Sequence, residues 1–123
     1  MDEREARAQL QSKVSALSEK FLERTRLQVT ELAGLIEATG HGDTSVLSQL
    51  EKIAHKIHGS GAMFGFPSLS DAAGEIEKCA ARLRDTGDNS ALIETTPALH
   101  EACERLREAV EQAMTSMAER APG

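Results

Sequence analysis

Tryptophan and tyrosine are absent from this chain, and phenylalanine occurs only 3 times. A core without large rings must be aliphatic, and the scarcity of aromatic and β-branched residues favours helices over strands. No run of about 18 apolar residues occurs, so nothing in the sequence spans a membrane. The basic excess of a nucleic-acid binder is also missing: 20 acidic residues against 14 basic ones give a net charge of -6, whereas phosphate-backbone binding needs a basic face. Cys79 and Cys103 form no CxxC pair and read as small core residues in a reducing compartment. The opening "MDEREARAQL" lacks the apolar stretch of a signal peptide, which makes the cytoplasm the expected location. The start at Met1 and the lack of a linker suggest a stand-alone protein, and an excised domain of a larger protein would look identical.

What remains is an ordinary globular composition, 40% hydrophobic and 28% charged over 123 residues, which suits one domain spanning 1–123 with its core over about 20–119. Helical periodicity runs along most of it. Leu10, Val14, Leu17, Phe21, Val29, Leu32 and Ile36 recur at threes and fours, interrupted by Thr25. "TGHGD" (39–43) stops this helix, and Asp43 or Thr44 could cap the next. The second helix carries the seam Val46, Leu47, Leu50, Ile53, Ala54 and Ile57, and "GAMFGF" (61–66) breaks it. Pro67 suits the first turn of a third helix, which buries Leu69, Ala72, Ala73, Ile76, Cys79, Ala80 and Leu83 and ends at "RDTGDNS". "ALIETT" allows a helical turn or two before Pro97, which would either kink a longer helix or begin a new one. The last stripe is Leu99, Cys103, Leu106, Val110, Met114 and Met117.

Amphipathic helices with short connections imply an all-α fold, an antiparallel up-down four-helix bundle. Residues 4–38 taken as one helix would run about 50 Å, roughly twice the second or third. Residues 4–18 therefore overhang, fold back as an additional N-terminal helix, or bind something. A monomer is expected, with residues 4–18 the segment through which a dimer would form.

One stretch, "AHKIHGSGAMFGF" (54–66), sets a histidine beside three glycines. Stepping about 100° per residue puts His55 about 140° from the apolar seam, on the open face of the second helix. Gly59 and Ala62 continue the same strip where a solvated face usually carries Glu, Lys or Gln, and glycine inside a helix costs about 1 kcal/mol relative to alanine. The small residues leave a notch beside the ring. A helix fraying at its end is the plainer explanation. If the second and third helices turn around residue 65, Glu77 arrives at the height of His55 and flanks its own helix's stripe. A carboxylate there would fix the imidazole tautomer and leave the other nitrogen as a nucleophile. The same arrangement also orients metal-bound histidines.

"AHKIHGSGAMFGFPSLSDAAGEIE" resembles the core of histidine phosphotransfer (HPt) domains through Ala54, His55, Ile57, Gly59, Gly65, Leu69 and Glu77. "GAMFGF" is most similar to the phosphotransfer domains of chemotaxis histidine kinases. The resemblance implies that His55 carries a phosphoryl group between a histidine kinase or phospho-receiver and the aspartate of a response-regulator receiver domain. It implies that Glu77 orients the imidazole, that Gly59 gives the partner access, and that the chain is a carrier rather than an autonomous kinase. It implies no cofactor of its own, Mg²⁺ being supplied in the partner receiver or kinase. Two positions depart from the pattern. Where the family has a lysine one turn after the histidine, this chain has His58. Neutral His58 would neutralise no phosphate charge, so Lys52 or Lys56 would do that work, or transfer would become pH-sensitive. Where chemotaxis kinases tend to carry a second histidine, this chain has Gly74.

Other chemistries have less support. "GSG" and "GAMFG" follow no strand, and no GK[ST] occurs, so nucleotide binding is not expected. A metal site could draw on His55, His58, Glu51 and Glu77, but zinc sites need more convergent ligands, and the Glu-x-x-His of di-iron bundles is missing. His41 and His100 read as solvated. The alternative to phosphotransfer is a catalytically silent module that docks on a receiver domain through the same groove. Phe64 and Phe66 read as capping the bundle end, and the tail "MAERAPG" as a solvated terminus.

Overall fold

The computed structural model describes residues 2–120, and every regular element among them is helical. Four α-helices follow in order: α1 (Glu3–Gly40), α2 (Leu47–Met63), α3 (Pro67–Thr86) and α4 (Asn89–Arg120). Each packs against its neighbour in sequence, and α1 closes the ring against α4. This is the antiparallel four-helix bundle that the spacing implies. Its centre is aliphatic: Leu32, Ile36, Leu50, Ala54, Ile57, Ile76, Leu99 and Leu106 are all essentially inaccessible. Each such Leu or Ile contributes about 1.5–3 kcal/mol by leaving water.

The helix ends follow local chemistry. Asp2 caps α1 by accepting from the Glu5 N–H at 2.8 Å. Asp43 is a cap, but of a single 3₁₀ turn, Thr44–Val46, which leads into α2 at Leu47. Pro67 opens α3, where its missing N–H costs nothing. At the other end of α3, Gly87 takes the left-handed conformation at φ 62° and returns its N–H to Leu83 O at 2.9 Å.

Several details depart from the periodicity. Thr25 does not interrupt the α1 stripe but belongs to it: fully buried, it donates its hydroxyl to Phe21 O at 2.7 Å. Of the two alternatives at Pro97 the longer helix holds: the residue does not begin a new helix but lies inside α4. Its ring is on the exposed face, and Ile93, whose carbonyl a proline deprives of an N–H partner, is exposed too, so water can replace the lost bond. The "GAMFGF" segment does not break α2 at its start, because α2 continues to Met63 and the chain turns at Gly65 with φ 81°.

Residues 4–18 neither fold back nor form a separate helix; they are the first half of α1, which is 38 residues long and about 57 Å from end to end. It is not alone, because α4 is 32 residues long and Met117 and Arg120 stand beside Ala8 and Ser15. The face turned inward here differs from the expected one. Ser18 is buried and bonds Val14 O, while Leu10, Val14 and Leu17 remain 64%, 48% and 55% exposed. The tail is helical through Arg120, and Met1 and residues 121–123 lie outside the described residues.

Candidate functional site

The site forms where α2 and α3 run side by side. Gly61 sets the spacing of this pair: a Cβ there would stand 2.9 Å from Leu69 Cδ2 and 3.3 Å from the Ser70 backbone. So close an approach, with the turn at Gly65, fixes the register of the two helices. Glu77 then comes level with His55. The Nδ1–H of His55 donates to Glu77 Oε2 at 2.8 Å. The His55 side chain is 73% exposed and that of Glu77 only 27%. A half-buried carboxylate thus holds one edge of a ring whose other edge, with Nε2, faces solvent. One turn back, Arg84 of α3 pairs with Glu51 of α2, a second strut between the helices. Glu51 is therefore occupied in holding α2 to α3, and among the described residues no group of His, Cys, Asp and Glu converges as metal ligands.

Gly59 opens space as the strip of small residues implies, since a Cβ added there meets nothing within 4 Å. Lys52 and Lys56 are exposed, and both border a cavity of about 310 Å³ together with His55 and Glu77. His58 points elsewhere. Its Nδ1–H donates to Ser70 O at 2.8 Å, and the Ser70 hydroxyl donates back to His58 O at 2.7 Å. The ring lies over Gly74, where a Cβ would come within 2.9 Å of Nδ1. His58 is thus a bridge between α2 and α3, and its proton on Nδ1 is committed to that bridge.

A further cavity of about 330 Å³ lies between α1 and α2, and His55 and Gly59 border it with Arg24, Gln28, Phe21 and Met63. Phe21 also stacks on Phe64 and Phe66, with centroids 5.1 and 6.2 Å apart. All the aromatic rings of the chain therefore gather at one end of the bundle, as the capping reading of Phe64 and Phe66 expects, and one of them reaches the edge of the site.

The family model for the Hpt domain matches residues 16–114. The chain belongs to the Hpt domain family. Hpt domains are phosphocarrier modules of two-component signalling, which act with histidine kinases and response regulators. The match covers the core of the bundle and leaves out the first turns of α1, before residue 16, and the last turns of α4, after residue 114. Neither the curated proteins nor the solved structures gave a significant match. No helix of the described residues in this Hpt domain is long and apolar enough to cross a membrane.

Arg24 and Gln28 carry no motif and sit some thirty positions before the histidine, so reading the chain alone does not bring them to the site. Only the α1–α2 packing does so.

Proposed function

We propose that this Hpt domain carries a phosphoryl group on Nε2 of His55. It takes the group from a histidine kinase or a phospho-receiver and passes it to the aspartate of a response-regulator receiver domain. The observation that carries this reading is the exposed imidazole held through Nδ1 by Glu77 at 2.8 Å. That bond keeps the proton on Nδ1 and leaves the Nε2 lone pair free toward solvent.

In loading, Nε2 forms the N–P bond while the P–O bond to the donor breaks, its electron pair leaving on ADP or on the aspartate carboxylate. The ring becomes an imidazolium, and Glu77 balances the positive charge through the Nδ1–H it already holds. In unloading, the receiver aspartate forms the new O–P bond and the N–P electron pair returns to Nε2. No proton need be gained or lost. A divalent cation to balance the charge on the phosphoryl oxygens would come with the partner, as Mg²⁺ in the receiver or kinase. Gly59 leaves the approach to the ring open, so a receiver can bring its aspartate within bonding distance.

The test is loading with phosphoramidate followed by intact mass at neutral pH, with wild type beside His55→Gln. A single acid-labile phosphoryl group on wild type and none on the variant is the expected result. Failure of small donors, kinases and phospho-receivers alike to load wild type would favour a silent docking module.

A further inference from the structure

A phosphoryl group on His55 adds about two negative charges to the surface of α2. The side chain at the family's lysine position is turned away from His55 here, because His58 is held by Ser70 and packed on Gly74. The cations around His55 divide between two sides of the ring. On the Glu77 side, Lys52, Lys56 and Arg84 share their cavity with the carboxylates of Glu51 and Glu77, and Arg84 is already paired with Glu51. On the other side, Arg24 and Lys56 border the cavity that His55 shares with Gly59, and no carboxylate borders it. Among the described residues Arg24 makes no ion pair, whereas its neighbour Arg26 is bound to Glu111 at 2.9 Å. Nε2 lies on the edge of the ring away from Glu77.

We infer that Arg24, on α1, is a phosphoryl-binding residue of this domain, closing its guanidinium on the oxygens of a phosphoryl group on His55. This rests on His55 as the carrier. A guanidinium presents a planar fork of donors matched to phosphoryl oxygens and stays charged at every working pH. Gln28, one turn along the same face, borders the cavity with an amide that can donate to the same group. Arg24 replaces, from a different helix, the charge that the lysine supplies elsewhere in the family. Its position ties α1 to the phosphorylated state, and it would stabilise both the loaded histidine and the charge that builds up on the phosphoryl oxygens during transfer.

The experiment is a ³¹P NMR titration of the full chain loaded on His55, for wild type, Arg24→Gln, Arg24→Lys and Arg26→Gln. A cation beside the phosphoryl group lowers the pH at which it takes its second proton. The wild-type signal should titrate lower than that of Arg24→Gln by up to about one pH unit, less as salt is added. Arg24→Lys should fall between them and Arg26→Gln should match wild type. Arg24→Gln should also load from phosphoramidate several-fold more slowly. Arg24 is exposed, so these variants keep the fold. Identical titrations and loading rates in wild type and Arg24→Gln overturn the inference while leaving His55 as the carrier. A wild-type chain that no donor loads at His55 overturns the underlying reading and the inference together.

Discussion

His58 and Gly74 share one space across the α2–α3 contact: a Cβ on Gly74 would stand 2.9 Å from Nδ1 and 3.1 Å from Cε1 of His58. Gly74 is buried in mid-helix, a place where alanine is otherwise better by about 1 kcal/mol. The missing methyl is what admits the imidazole and its bond to Ser70. Gly74→Ala should therefore destabilise the domain by about 1–3 kcal/mol despite the gain in helix propensity. In a His58→Ala background the same change should be neutral or stabilising by up to about 1 kcal/mol. Urea unfolding of the four proteins of this cycle checks the reversal of sign, and additive effects would show that the two residues are not coupled.

Gly59 presents the opposite case, since nothing stands within 4 Å of a Cβ added to it. Gly59→Ala should raise stability by about 0.5–1 kcal/mol. Gly59→Gln should load from phosphoramidate at the wild-type rate but transfer to a cognate receiver at least about tenfold more slowly, equal to 1.4 kcal/mol of lost approach. Equal transfer rates for Gly59→Gln and wild type would remove the access role from this residue.

Glu77 should affect rate rather than existence of the product. Losing a hydrogen bond to a charged partner costs about 1.5–3 kcal/mol, so Glu77→Ala should load about 10- to 100-fold more slowly while still reaching a single label on His55. Glu77→Gln can still accept from Nδ1–H but carries no charge, and it should fall between the two. A Glu77→Ala protein that loads like wild type at every pH would end the tautomer-holding role.

Burial pushes the thiols of Cys79 and Cys103 above their ordinary value of 9.0, with the carboxylate of Glu75 adding to the rise at Cys79 and that of Glu104 at Cys103. Both should resist iodoacetamide at pH 8 in the native protein and react together on unfolding. The unfolded chain ionises its thiols first, so the unfolded state binds fewer protons than the native state above about pH 9, and stability should fall with rising pH there. Alkylation of either residue in native protein at pH 8 would contradict their burial.

The His55–Glu77 pair was legible because it depends on two short-range facts. A helical wheel turns His55 away from the seam of α2, and one tight turn sets the height of Glu77. Periodicity also reported that residues 4–38 are helical, but not whether 4–18 continue α1 or fold back as an additional helix. Side-chain choices between helices were not legible. His58 is one turn from His55, and only the gap at Gly74 decides that it turns to α3. Thr25 looks like a break in an apolar stripe until its hydroxyl finds Phe21 O within its own helix. Ser18 in place of Leu17 on the inner face, and Pro97 tolerated on an exposed one, depend equally on where α1 and α4 touch. Arg24 reaches the site only through packing between elements distant in the chain.

The most direct measurement is NMR of the chain labelled with ¹⁵N-histidine and loaded with phosphoramidate, read through phosphorus–nitrogen coupling. Phosphorus coupled to Nε2 of His55, with Nδ1 still protonated beside Glu77, is the predicted result. A phosphoryl group on Nδ1 of His55, or on His41, His58 or His100, would contradict the account.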